Sequence, residues 1–310
     1  MTDALILLAP IYLLIALGIV VVRTRYFPAE GLPWLSLFTL NICVPVLVFS
    51  AVAQLGNLSG LNLRFVLGYS TASLIVLIGG QTLLQRGLGV APGLSWMLAL
   101  GMSASNSIFL GLPILSAVYP DHVAELFAGA IVSENIAVVP LCVTMAAIVS
   151  ASDPAPPRVA LIRALRATFS TPIIWGLIAG LLFLASGLRL PTLGTQVLGM
   201  IAAAAPVLAL VLAGGTLATA RISELGLPVL AIAGIKLFVH PVIVWAVLTA
   251  IGGLDPVLIA GGTVLAALPM VSIFTIFAGR HGGALTAASG LVLATVAGLV
   301  TVSVAVAIFV

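Results

Sequence analysis

The chain has 310 residues, of which 62% are hydrophobic, with only 11 Lys/Arg and 8 Asp/Glu; an ordinary soluble domain is about 45–50% apolar. That composition excludes a soluble globular enzyme. It also excludes a nucleic-acid binder, because the net charge of +3 has no soluble domain on which to form a basic face.

Crossing a hydrocarbon core of ~30 Å takes ~20 apolar residues as a helix. Stretches of that kind are read at 4–22, 32–52, 63–84, 94–119, 123–149, 171–187, 196–219, 227–251, 257–279 and 284–308. They are too long and continuous for barrel strands, and lipid offers an open backbone no partner, so all ten are expected to be helices. The first stretch starts almost at Met1 and lacks a basic leader, which argues against a cleavable signal peptide. Cys43 and Cys142 both fall within spans, where they read as small core residues and not as a disulfide. Numbering the loops alternately, one side carries Arg23, Arg25, Arg86, Arg158, Arg163, Arg166, Arg221 and Arg280, and the other only Arg64 and Arg189. By the positive-inside rule, both termini of this multi-pass protein of the plasma (inner) membrane face outward and the loop from Ser150 to Ser170 is cytoplasmic.

That loop is the longest polar interruption, and it divides five spans from five. The expected domains are a first repeat over 1–150, a linker over 151–170 and a second repeat over 171–310. Span 1 reads Pro10-Ile with Gly18 eight residues after the proline, and span 6 reads Pro172-Ile with Gly180 at the same distance. Span 2 carries Pro45-Val-Leu47 and span 7 carries Pro206-Val-Leu208; these lie 35 and 34 residues beyond the first landmarks. Span 4 holds Leu112-Pro113 and span 9 holds Leu268-Pro269, a further 68 and 63 residues on. Three landmarks in one order imply an internal repeat. An odd number of spans per repeat forces the second copy in from the opposite side, which is the inverted-repeat architecture of secondary transporters. Proline removes an amide donor and clashes with the preceding turn, so spans 4 and 9 are expected to break at Pro113 and Pro269. Packing kinks without a cavity are the structural alternative.

Asn106-Ser-Ile-Phe-Leu-Gly111-Leu-Pro113-Ile-Leu115 resembles the Asn-Thr-Leu-Val-Met-Gly-Ile-Pro-Leu-Leu stretch of the PIN-type plant carriers. It is similar to the wider auxin efflux carrier family, whose bacterial members include carriers named for malonate and malate. Ala266-Ala-Leu-Pro269 followed by Ile276-Phe-Ala278 looks like that family's second crossover segment. Leu237-Phe-Val-His240-Pro241 and Leu212-Ala-Gly-Gly-Thr-Leu-Ala218 look similar too, so the resemblance covers all ten spans. It departs in the central loop, which is short here and very long in many plant members. The resemblance implies the bile acid:sodium symporter-like fold: a scaffold of spans 1, 2, 6 and 7, and a mobile core of spans 3–5 and 8–10. It further implies that broken helices 4 and 9 cross at the substrate, that transport follows an elevator mechanism, and that the protein is a homodimer.

Ionisable groups within lipid are costly and are functional candidates by default. Glu134 lies about eleven residues into span 5, roughly 16 Å at a 1.5 Å rise. Lys236 lies about nine residues into span 8, and His240 is one turn further on the same face. These three are the coupling candidates. The structural alternatives are an interfacial Lys236, a neutral hydrogen-bonded His240 and a paired Glu134. Asn106, two turns before Pro113, is expected to face the break, either satisfying freed backbone or donating to a substrate carboxylate. Asn135, Ser272 and Thr275 are further candidate donors, and Gly111, Pro113 and Pro269 shape the breaks. Half-helices beginning after the two prolines present positive ends to an anion.

The function expected is carriage of a small organic anion, a carboxylate, by alternating access. The alternative on the same fold is a sodium-coupled symporter of bile-acid-like or other solutes, with oxygens from Glu134, Asn135 and Asn106. No cofactor or resident metal is expected, and protons and sodium are the candidate coupling ions. The expected partners are the substrate anion, membrane lipid and a second copy of the chain. An intramembrane enzyme is disfavoured by the lack of a His-Glu-x-x-His, serine-nucleophile or paired-aspartate motif, and no Walker A motif is present for ATP driving.

Overall fold

The computed structural model describes residues 2–53, 61–150, 171–219 and 225–309, together with Val159, Ile162 and Arg166. Most of the expected 151–170 linker therefore lies outside the described residues, as do Arg158, Arg163 and Arg221. The described elements are helical: α1 (Thr2–Arg23), α2 (Ala29–Ala53), α3 (Leu63–Gly87), α4 (Pro92–Ser103), α5 (Ser107–Val118), α6 (Pro120–Ser150), α7 (Pro172–Ser186), α8 (Thr192–Thr219), α9 (Leu227–Ile251), α10 (Pro256–Ala266), α11 (Phe274–Gly279) and α12 (Ala284–Phe309). Seven of these, α1, α2, α3, α6, α8, α9 and α12, are long and apolar enough to cross a bilayer. Leu13, Leu67, Trp175, Met200, Trp245 and Val300 are exposed on these and the shorter helices, as suits surfaces that face hydrocarbon.

Prolines shape the helices by a repeated local device. The π turns Thr39–Cys43, Ser107–Gly111, Ser133–Val138 and Ile235–Val239 each end two residues before a proline, namely Pro45, Pro113, Pro140 and Pro241. A proline cannot donate to the carbonyl four residues back, and its ring crowds that carbonyl. The helix widens instead. The residue before the proline reaches back five positions: Val44 N–H to the Thr39 carbonyl, Val139 to Glu134 and His240 to Ile235. In lipid every backbone group needs such a partner. Pro10 and Pro206 sit inside α1 and α8 without interrupting them.

Two expected spans are interrupted. Span 9 breaks as expected at Pro269, between α10 and α11, and its second half is only the six residues Phe274–Gly279. Span 4 breaks earlier than expected. Its helix stops at Ser103, Ala104 turns extended at φ −114° and ψ 135°, and helical geometry resumes at Ser107. Pro113 is absorbed within α5, because the π turn before it and its place in the first turn of a helical segment remove the conflict.

The chain forms two compact units. The first comprises Met1–Leu63, Ser107–Gly129 and Phe169–Ala220. Its most extensive packings are α1 on α8 and α7 on the second half of α2. Both use glycine for close approach. A Cβ on Gly18 would strike the Val211 carbonyl and the Gly214 Cα, and one on Gly180 would strike Val52 and the Phe49 carbonyl. Phe49 and Phe183 add an edge-to-face contact with centroids 5.6 Å apart. α5 and the start of α6 also belong to this unit, because α5 packs on α8 and α1.

The second unit comprises Arg64–Asn106, Ala130–Thr168 and Arg221–Val310. Leu77, Leu84, Leu98, Leu100, Met102 and Phe274 form its buried apolar centre. Gly101 lies against the Phe274 ring and Gly298 against the Pro269 ring, so small residues let α4 meet α11 and α12 meet the break of span 9. Asp255 caps α10 by accepting from the Val257 N–H at 2.8 Å. Cys43 and Cys142 are buried and free.

Candidate functional site

Within the second unit the two interruptions meet. The Asn106 N–H donates to the Pro269 carbonyl at 2.9 Å and the Val271 N–H donates to the Ala104 carbonyl at 3.1 Å. Ser105 and Met270 thereby form an isolated antiparallel bridge. Each break supplies the hydrogen-bond partners that the other has lost, which is what allows extended backbone within two apolar helical runs. Ser105, Asn106, Pro269 and Met270 are all buried.

A polar cluster surrounds that bridge. Ser105 is its node: its backbone N–H donates to Glu134 Oε1 at 3.0 Å, and its Oγ accepts from Lys236 Nζ at 2.7 Å and lies 3.3 Å from the Tyr69 hydroxyl. Lys236 also donates to the Ala266 carbonyl at 2.8 Å, and its Nζ lies 2.8 Å from His240 Nδ1. An ammonium has three donors and no acceptor, so all three are engaged. With Lys236 charged, His240 accepts at Nδ1 and carries its proton on Nε2, which lies 3.0 Å from Ser73 Oγ. Lys236 and His240 are fully buried and Glu134 is 5% exposed. Every buried side-chain nitrogen or oxygen among the described residues has a hydrogen-bond partner. Isolated charges in such a place would cost several kcal/mol each; mutual proximity and full hydrogen bonding offset that cost.

The π turns aim these groups. Glu134 and Asn135 lie in the turn before Pro140 and Lys236 in the turn before Pro241. Such turns occur often at functional sites because they rotate a side chain out of the regular helical register.

Of the residues singled out in the sequence, Glu134, Lys236 and His240 gather in this cluster, and Asn106 and Pro269 meet through their backbones. Asn106 occupies the break itself instead of facing one seven residues away. Lys236 is buried inside the unit, so the interfacial alternative does not hold. Asn135 donates to the Ile131 carbonyl of its own helix at 2.9 Å, and Thr275 donates to the Ser272 carbonyl at 2.8 Å. Gly111 and Pro113 belong to the other unit. The sequence reading missed Ser105, Tyr69, Ser73 and the Ala266 carbonyl. Three serines at alternate positions, Ser103, Ser105 and Ser107, were the available signal for an extended polar break inside an apolar run.

Comparison with known proteins identifies a family of membrane transporters. The chain is 27% identical over 281 residues to a protein of Rhizobium meliloti (strain 1021) named "Putative malonate transporter", covering 89% of this chain and 86% of that one. The family described as Membrane transport protein (Mem_trans) matches residues 3–307. With nearly every residue inside that match, the chain belongs to the Mem_trans family of membrane transport proteins and is a transporter, not an enzyme.

Proposed function

We propose that this protein is a secondary carrier for a small organic anion, a carboxylate, which it moves by alternating access. The observation that supports this best is the paired break: two interrupted helical runs joined backbone to backbone beside a buried lysine. In carriers of this kind, discontinuous helices mark the substrate site. In this reading the carboxylate binds beside Ser105–Asn106 and Pro269–Met270, with the Asn106 amide as a donor and Ser272 and Thr275 at the rim. The name carried by the Rhizobium relative makes malonate the first substrate to test.

The ten-span, five-plus-five inverted repeat is part of this proposal. The packing in the first unit supports it. Exchanging span 1 with span 6 and span 2 with span 7 turns the α1–α8 packing into the α7–α2 packing. Gly18 meets residues five and eight beyond Pro206, and Gly180 meets residues four and seven beyond Pro45. The unit bearing the paired breaks is then the moving, elevator-like body, and the unit built on α1, α2, α7 and α8 is the frame, which we propose dimerises. Both termini face outward from the plasma membrane.

The test is a thermal-shift screen of mono- and dicarboxylates on the purified protein, followed by uptake of the best ligand into liposomes. A melting temperature that climbs with ligand, together with saturable uptake and counterflow, is expected. No stabilising carboxylate and no saturable flux would refute the reading.

A further inference from the structure

We propose that the Lys236 ammonium is a built-in cation that clamps the paired breaks, occupying the position a dissociable coupling ion would take, and that the carrier consequently works without sodium. The proposal deepens the carrier reading and rests on it for its transport meaning. Its structural part stands alone. In carriers with discontinuous helices, unwound carbonyls and half-helix C-terminal ends coordinate the coupling sodium. Here the groups of that description are spent on Lys236.

Ala266 is the last residue of α10, where carbonyls lack intrahelical partners and the helix dipole is negative; its carbonyl accepts from Nζ at 2.8 Å. Ser105 belongs to the break of the other interrupted run, and its Oγ accepts from the same nitrogen at 2.7 Å. One cation thus bridges both breaks, as a coordinated ion would. His240 Nδ1 takes the third proton, and Glu134, bound to the Ser105 N–H, supplies the balancing charge. The difference from a coordinated ion is the tether. Lys236 is anchored in α9 within the same unit as every one of these partners, so the charge travels with the unit and cannot dissociate to either side. A sodium gradient has no purchase on this position.

The experiment melts full-length protein, without substrate, in sodium, potassium and choline chloride at equal ionic strength, for wild type and Lys236→Ala. Methylammonium, which restores the missing ammonium, is titrated into both. Wild type is expected to melt at one temperature in all three salts and to ignore methylammonium. Lys236→Ala is expected to melt lower and to recover part of the loss as methylammonium or sodium rises, by mass action on the vacated position. A wild-type melting temperature that climbs with sodium overturns the proposal, and so does a Lys236→Ala protein that melts like wild type or responds to no cation. If Lys236→Ala does not fold, the wild-type salt comparison still decides. Ser105→Ala then serves as the second variant, expected to lower the melting temperature in all salts alike. Because no substrate is present, failure of the carboxylate reading leaves these outcomes distinct.

Discussion

The amide of Asn106 donates to the carbonyl of Pro269 at 2.9 Å, so the residue that opens one interrupted run is bonded to the proline that interrupts the other. This contact is made by backbone alone. The Asn106 side chain can therefore change without dissolving the pairing, which makes the position a clean probe of what the amide does.

Asn106→Ala is expected to retain the fold and to weaken carboxylate binding roughly ten- to a hundredfold, the equivalent of ~1.5–3 kcal/mol for a buried donor to a charged group. Titration of the variant with the substrate, by calorimetry or thermal shift, measures it. Unchanged affinity would remove Asn106 from the binding site.

Glu134→Gln keeps an oxygen for the Ser105 N–H and removes the charge that acts on Lys236. Uptake into liposomes is expected to be stimulated by an imposed pH gradient in wild type and to lose that stimulation in the variant, as a carboxyl that takes up a proton in one transport state requires. Equal responses in the two proteins would make Glu134 a static counter-charge to Lys236.

Much of this was legible in the sequence, and the failures share one cause. Glu134, Lys236 and His240 stand out because ionisable side chains in lipid are rare and costly. Pro269 marks its break because no widened turn precedes it to absorb the conflict. Pro113 misled because Ser107–Gly111 widens into a π turn and the helix continues through the proline. The actual break at Ala104–Asn106 is stabilised by pairing with residues 269–271, far away in sequence, and its only local sign is the alternation of Ser103, Ser105 and Ser107. Tyr69 and Ser73 were passed over for a similar reason: a tyrosine and a serine one turn apart in an apolar helix look like ordinary packing until His240 and Ser105 are placed beside them.

The close helix contacts of the first unit give a stability test. Gly18→Ala places a Cβ against the Val211 carbonyl and the Gly214 Cα, and Gly180→Ala places one against Val52 and Phe49. Each is expected to lower stability by ~1–3 kcal/mol, the usual cost of overpacking. Gly79→Ala has open space around its Cβ and serves as the control; its expected effect is neutral or stabilising by up to ~1 kcal/mol, since alanine is the better helix former. Melting curves of the three variants check this. Equal behaviour of Gly18→Ala and Gly79→Ala would contradict the packing described.

The π turn before Pro241 yields the most discriminating prediction. His240 N–H reaches back to the Ile235 carbonyl because Pro241 has no N–H for the Leu237 carbonyl and its ring crowds that group. Pro241→Ala supplies the donor and removes the ring, so the segment can tighten to ordinary four-residue bonding. Proline within a helix costs ~3 kcal/mol, so its removal favours the helix locally. Tightening the turn also rotates one half of α9 relative to the other by about 100°, one residue's share of a helical turn. The cluster is held across that join: Lys236 lies inside the turn and His240 just after it, and their partners Ser105, Ala266 and Ser73 come from other elements. Rotation must pull at least one of them out of line. Pro241→Ala should therefore transport poorly, and what the helix gains at the turn is offset by what the displaced cluster loses. A variant that lost stability and kept full transport would show that the turn serves only packing and that the aim of Lys236 does not depend on it.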